Sequence, residues 1–340
     1  SPEQKSAINR ITGSLGGFSP FVLQGVTGSG KTEVYLHASE HAVLQGKQVL
    51  VLVPEIGLTP QLVDRYRQRL GNRVDVLHSG MTDRDRYRTW YRARLGNTDI
   101  VLGTRSAVFT PLKNPGLIIV DEEHDHSFKQ MDGFRYHARD LAVMRASLEN
   151  IPIVLGSATP SMETHRNAAS GKFNHMVLSK RIGKSSLPRI DIVDTRIHKS
   201  VNGLTSPLAQ AIGKRLEHGQ QSILFINRRG YAPVTQCSAC GWQATCNRCD
   251  AYLTYHALLK KLLCHYCGHS SPASESCPEC GESIFFSGLG TQRVHQALEK
   301  TFPSSRIIRF DRDVLTTQNK LQEALDTVNK GEADIIIGTQ

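Results

Sequence analysis

The 340-residue chain is long enough for two or three domains, each able to bury its own core. Apolar residues make up 39% and charged ones 21%, the balance of a globular chain; no run approaches a membrane span and no secretion signal opens the sequence, so a cytoplasmic protein is expected. The net charge of +10, from 41 Lys and Arg against 31 Asp and Glu, favours a polyanionic partner such as nucleic acid, with no membrane.

The apolar run Phe21-Val22-Leu23 reads as a buried strand and leads into Gly25-Val26-Thr27-Gly28-Ser29-Gly30-Lys31-Thr32. This stretch fits G-x-x-x-x-G-K-[ST] without a mismatch. The glycines let successive N–H groups turn inward around phosphates, Lys31 reaches the β and γ oxygens, and Thr32 can ligate magnesium. A helix beginning near Lys31 adds its positive dipole end. The chain is therefore expected to use a nucleotide.

Apolar runs at 49–53, 74–77, 100–102, 117–120 and 151–155 read as buried parallel strands, with amphipathic crossover helices between them. This predicts an α/β, doubly wound first lobe over 1–180. The run at 117–120 ends in Asp121-Glu122-Glu123-His124, which sets carboxylates at the carboxyl edge of a strand. Asp121 is expected to hold magnesium and Glu122 to polarise the attacking water. Gly156-Ser157-Ala158-Thr159-Pro160 follows another strand; its hydroxyls could hydrogen-bond those carboxylates, or simply cap a helix.

The segment 128–137 mixes aromatic and basic residues. Phe128 and Tyr136 could stack on bases while Lys129 and Arg135 meet phosphate, or the rings could anchor an ordinary loop to the core. The arginines between 84 and 94 read as a solvated helix face. A polar, basic linker is expected at 179–186. The second α/β lobe then starts within 181–235 with a strand at 223–226, and continues over 283–340 from Phe285-Phe286.

All eight cysteines lie between, in four C-x-x-C pairs: Cys237/Cys240, Cys246/Cys249, Cys264/Cys267 and Cys277/Cys280. That spacing suits tetrahedral thiolate ligation of two zinc ions by an insertion over 236–282. Eight thiolates and two dications would lower the formal charge from +10 to about +6. Nested pairing, outer with outer and inner with inner, avoids crowding Cys237 to Cys249 around one ion. His256, His265 and His269 are then left as surface residues.

Gly25 to Thr32, Asp121 to His124 and Ser157-Ala158-Thr159 resemble the ATPase, magnesium and coupling motifs of superfamily two helicases. Longer strings are similar to the PriA family of bacterial replication-restart helicases. These are Gly25 through Tyr35, Val53-Pro54-Glu55-Ile56-Gly57-Leu58-Thr59-Pro60, Gly103-Thr104-Arg105-Ser106, Asn227-Arg228-Arg229-Gly230, the cysteine pairs and Gly338-Thr339-Gln340. The resemblance implies two RecA-like lobes, the second interrupted by the cysteine module, and ATP-driven 3′ to 5′ movement on single-stranded and forked DNA. It implies primosome and single-strand-binding proteins as partners, Gln4 as the reader of adenine, and Pro54, Glu55, Thr104, Arg105, Arg228 and Arg229 as DNA contacts. It further implies a DNA-binding region before Gln4 and an arginine motif beyond Gln340. The chain is accordingly expected to be a fragment that turns ATP over more slowly than one extended past Gln340. Two alternatives stay open: a nucleotide-switched zinc module for DNA binding or docking, and another nucleic-acid translocase.

Overall fold

Seven strands, all parallel, carry the first of two compact units, Ser1–Pro188 and Arg189–Gln340. The computed structural model describes every residue except 55–59, 132, 183–187, 196, 199, 227–233, 238, 250, 257–258, 288–290, 311–313, 315–317 and 339–340; at 285–287, 292 and 318–319 it describes the backbone only.

In the first unit, α1 (Pro2–Thr12), β1 (Pro20–Gly25), α2 (Lys31–Leu44), β2 (Gln48–Leu52), α3 (Pro60–Leu70), β3 (Val74–Leu77), α4 (Asp83–Leu95), β4 (Ile100–Gly103) and β5 (Pro115–Asp121) follow in order. A two-stranded hairpin, β6 (Lys129–Gln130) and β7 (Tyr136–His137), precedes α5 (Ala138–Leu148), β8 (Ile153–Ser157), α6 (Met162–Ala169) and β9 (Asn174–Leu178). The large sheet runs β3-β4-β2-β5-β8-β1-β9. The middles of its central strands, 49–52, 100–102, 117–120 and 153–155, are unbroken apolar runs because both faces are covered there. Val49, Val51, Leu117 and Ile119 pack on one side, while Leu50, Leu52, Ile118 and Val120 pack on the other. Each such side chain contributes about 1.5–3 kcal/mol of burial free energy.

Register places the chemistry. Gln24 of β1 lies opposite Ser157 of β8, and Gly156 of β8 opposite Asp121 of β5. The phosphate loop, Ser157 and Asp121 thus leave one carboxyl edge on three adjacent strands, where open parallel sheets bind ligands.

The second unit contains α7 (Ser206–Glu217), β10 (Ser222–Phe225), β11 (Val234–Cys237), β12 (Thr254–His256), β13 (Lys261–Leu263), β14 (Ser270–Pro272), β15 (Ile284–Ser287), α8 (Thr291–Thr301), β16 (Ile307–Phe310), α9 (Gln318–Asn329) and β17 (Ile335–Gly338). A parallel sheet, β10-β17-β16, packs Ile335 and Ile337 against Ile212, Val294 and Leu298. β15 was expected to resume this sheet. It pairs instead antiparallel with β11, Cys237 facing Ile284, as the ribbon that leads into and out of the cysteine segment. A short apolar run carries no period that tells one sheet from another; the flanking cysteine pairs decide it. No helix among the described residues is long and apolar enough to cross a membrane.

Candidate nucleotide site and metal centres

The loop between β1 and α2 needs glycine where the chain turns into the helix. Gly30 caps α2 with φ at 83°, in the left-handed region, and a Cβ there would collide with the Gln4 side-chain amide. Gln4 Nε2 donates to the carbonyls of Ser29 at 3.0 Å and Gly30 at 3.4 Å. It braces the loop and does not line the adjoining cavity, which measures about 730 Å³. Residues 26–32, Asp121 and Glu122 form the cavity wall, so the loop and the strand-end carboxylates share one space. Lys31 Nζ donates to the Gly25 carbonyl at 3.0 Å and stands 3.8 Å from Glu122 Oε1.

Arg65, Gln68 and Arg69 of α3 also line this cavity, which the sequence did not reveal. Arg69 is held by Glu33 at 2.6 Å and Glu40 at 3.0 Å, which ties α3 to α2. The signal was a run of basic residues at helical spacing, indistinguishable in sequence from a solvated face.

Asp121 Oδ1 accepts from the Tyr35 hydroxyl at 2.9 Å. Burial, aided by the charge of Glu122, holds the Asp121 carboxyl above the usual range; the Tyr35 hydrogen bond and the Lys31 charge pull the other way and lose. Gly156 is required beside them, because a Cβ would run into the Tyr35 hydroxyl. A carboxylate and Thr32 on one cavity make an oxygen donor set that suits magnesium, and Ser29 Oγ, buried with no hydrogen-bond partner among the described residues, adds a further oxygen in the loop.

Glu122 sits at φ 47°, unusual for a residue with a side chain, at the turn that ends β5. The sequence leaves Ser157 either to bond the carboxylates or to form part of a helix cap; the cap of α6 falls to Ser161, whose hydroxyl accepts from the Thr164 amide. Ser157 Oγ lies 2.7 Å from His124 Nδ1 and also accepts from the Thr159 amide at 2.9 Å; the same imidazole nitrogen lies 3.7 Å from Glu122 Oε2, so the hydroxyl holds the ring beside the carboxylate. Glu123 points the opposite way and is fully buried. It accepts from Arg139 at 3.1 Å, the Ser161 amide at 2.7 Å and Thr164 Oγ1 at 2.9 Å. Nothing local in the sequence announces this network.

The expected nucleic-acid contacts separate into three groups. Phe128 is wholly buried among Val120, Ala138 and Ile153, which corrects its reading as a stacking ring: the short helical turn before β6 drives it into the core. Pro54 and Thr104 are buried as well, at the ends of β2 and β4. Arg105 is half-buried, its guanidinium donating to the carbonyls of Ser127 at 3.1 Å and Lys129 at 3.0 Å. Lys129 and Arg135 are exposed, and Tyr136 is half-buried. Glu55, Arg228, Arg229, Thr339 and Gln340 lie outside the described residues.

The cysteine sulfurs gather in two groups, Cys237, Cys240, Cys277 and Cys280, and Cys246, Cys249, Cys264 and Cys267, each within 4.8 Å. Sulfur separations of 3.5 Å for Cys237–Cys280 and 3.4 Å for Cys249–Cys264 approach the edge of roughly 3.8 Å that four 2.3 Å zinc–sulfur bonds imply. Backbone N–H groups favour one thiolate in each group, while at Cys249 and Cys280 the Ala251 and Glu282 N–H groups are outweighed by the neighbouring sulfurs and desolvation, which push these thiols up to about 12. The N–H of Cys240 leads in drawing Cys237 down to about 6, and that of Cys267 leads in drawing Cys264 to about 6. His256 is buried, contrary to its reading as a surface residue, with Nε2 3.0 Å from that of His265. The hairpin that closes the inner group folds it inward.

The family description DEAD/DEAH box helicase matches residues 1–168, and PriA DNA helicase Cys-rich region (CRR) domain matches 246–272, which include the inner four cysteines. The chain is 48% identical over 325 residues to Replication restart protein PriA of Haemophilus influenzae, a match covering 95% of this chain and 44% of that protein. It is 42% identical over 345 residues to the protein of the same name from Bacillus subtilis, covering 99% and 43%. The chain thus spans a little under half the length of these relatives. The structure of RecG bound to a three-way DNA junction aligns over 100% of this chain and 36% of its own, with TM-score 0.54 and 17% identity, a likeness in the α/β helicase fold alone.

Proposed function

The chain belongs to the PriA family of replication restart proteins, and on that premise we propose that it is the motor core of an ATP-dependent DNA helicase acting at stalled replication forks. The observation that carries this reading is the approach of Lys31 to within 3.8 Å of Glu122 across one cavity that both line. A cation on the γ-phosphate and a carboxylate to orient the attacking water are two of the parts that phosphoryl transfer to water requires, beside magnesium and an arginine on the transition-state charge.

In this reading the loop amides from Val26 to Thr32 cradle the phosphates, and Lys31 exchanges the Gly25 carbonyl and Glu122 for phosphate oxygens. Glu122, released from Lys31, accepts a proton from the water. Asp121 and Thr32 would hold magnesium, which supplies charge neutralisation on the β and γ oxygens. Gln4, which the resemblance makes the reader of adenine, would have to exchange its bonds to the Ser29 and Gly30 carbonyls for the base. The two cysteine groups would hold two zinc ions, which fold the insertion without entering the chemistry. Residues 1–180 form the first lobe; 181–235 and 283–340 form parts of the second, with 236–282 inserted. Single-stranded DNA meets Lys129, Arg135, Tyr136 and the arginines Arg105, Arg228 and Arg229. Movement runs 3′ to 5′, and primosome and single-strand-binding proteins are the partners.

Steady-state ATP hydrolysis with and without single-stranded DNA tests the proposal. DNA-stimulated turnover is the expected result. Nucleotide binding with no turnover at saturating DNA, both in this chain and in one extended past Gln340, would instead make this a nucleotide-switched docking module, and stronger stimulation by RNA would make it a different motor.

A further inference from the structure

The α4 helix displays rings that its own packing does not use. It buries Thr89 and Ala93, yet carries Tyr87 at 64% exposure, Tyr91 at 46% and a half-buried Trp90. Tyr87 stacks on Trp90 at 6.5 Å and on Tyr91 at 5.9 Å, with ring planes within 18° in both pairs, and the Arg94 guanidinium lies 5.5 Å from the Trp90 ring centre. Between Arg86, Tyr87 and Trp90 and the turn bearing Ser106 and Phe109 lies a cavity of about 570 Å³.

Phe109, 54% exposed, joins this cavity to the loop after β5. It meets Tyr136 edge-on at 5.1 Å, and Tyr136 lies 6.0 Å from Phe134, which is 76% exposed. The rings form a series from α4 to the hairpin that follows Asp121. Over positions 83–95 the helix carries five arginines, at 84, 86, 88, 92 and 94, against Asp83 and Asp85; Arg92 is held by Asp75 at 2.8 Å and Arg86 stands 3.6 Å from Asp83, which leaves Arg84, Arg88 and Arg94 as the exposed positive charge. Flat rings interleaved with guanidinium groups suit nucleobases above and phosphates beside them; an apolar protein partner would leave this positive charge unanswered.

We propose that the α4 cavity, walled by Trp90, Tyr87 and Phe109, is a base-stacking site for single-stranded nucleic acid that extends the strand path beyond Phe134 and Tyr136. It rests on the reading that the protein binds single strands. Its ligand is a nucleobase with its flanking phosphates, held by ring contact on α4 and by Arg84, Arg88 and Arg94.

The chain has two tryptophans, Trp90 and Trp242, so Trp242→Phe leaves Trp90 as the reporter. This variant is titrated with oligothymidylate and with an abasic oligomer of equal length, while dye anisotropy of the unsubstituted chain reads binding independently. Quenching of Trp90 by oligothymidylate and not by the abasic strand is expected. Trp90→Ala should weaken oligothymidylate binding about five- to a hundredfold and leave the abasic strand nearly unchanged. If Trp242→Phe perturbs the cysteine module, the same quench is read as the difference between the unsubstituted chain and Trp90→Phe. Tight oligothymidylate binding with Trp90 unquenched would overturn the stacking site alone, as would equal losses for both oligomers or an unchanged affinity in Trp90→Ala. Absence of any anisotropy change with either strand would overturn the single-strand reading itself, and the stacking site with it.

Discussion

Arg139 and Glu123, sixteen residues apart, meet at 3.1 Å with the carboxylate fully buried and the guanidinium side chain only 8% exposed. Burial works against the charge of Arg139, but hydrogen bonds to Asp140 and attraction to Glu123 outweigh it and hold its pKa above the ordinary value. The pair ties the turn after β5 to the starts of α5 and α6, so it positions Glu122 and His124 without touching the nucleotide. Glu123→Ala strands a buried cation and should cost about 3–5 kcal/mol. Glu123→Gln should cost less, since the amide keeps a carbonyl for the Ser161 N–H. Urea unfolding followed in the first unit checks this; a loss below about 1 kcal/mol for the alanine variant would show that Asp140 alone satisfies Arg139.

Lys31→Ala and Glu122→Gln should separate binding from chemistry. Removing Lys31 takes away the charge opposite the β and γ phosphates, and both nucleotide affinity and turnover should fall. Glu122→Gln also relieves the 3.8 Å contact that occupies Lys31, so affinity should hold or rise while turnover drops by about 10²-fold or more. Titration with a fluorescent ATP analogue reads the first quantity and phosphate release the second. Equal losses of affinity in the two variants would contradict the role assigned to Glu122.

The raised pKa of Asp121 makes magnesium-nucleotide binding pH-dependent. The folded protein holds this proton more tightly than the unfolded chain does, so Asp121 favours folding as pH falls through its folded pKa and opposes it above. Ligation needs the ionised form, so affinity for magnesium-ATP should weaken as pH falls through that raised value, with proton uptake by the free protein and release on binding. Calorimetry in buffers of different ionisation enthalpy measures the released proton. Asp121→Asn should abolish the release; its persistence would assign the proton to another group.

Chelation should unfold the cysteine module and spare the nucleotide site. The module's own core is small, built on Ala244, Cys246, Leu253, Leu262 and Cys264 with Trp242 against it, too little apolar area to fold without ligation. Two zinc ions per chain should be released to a chromogenic chelator. The Trp242 emission should shift to the red in step, while ATP-analogue affinity, set within residues 1–188, stays unchanged.

Sequence by itself determined the α/β class, the loop between β1 and α2, the carboxylates at the end of β5 and the four cysteine pairs. Each is a local pattern whose chemistry depends on neighbours a few residues away: glycines that must turn, a run of apolar residues that must be covered on both faces, thiols spaced for one knuckle. Tertiary structure alone decided that Phe128 turns into the core while Phe109 and Phe134 stay exposed. It alone paired Glu123 with Arg139, set Arg65 and Arg69 on the cavity, buried His256 and placed β15 beside β11. These outcomes depend on which elements pack together, and an aromatic, an arginine or a glutamate has the same local signature whether its neighbours in space are water, a ring or an opposite charge.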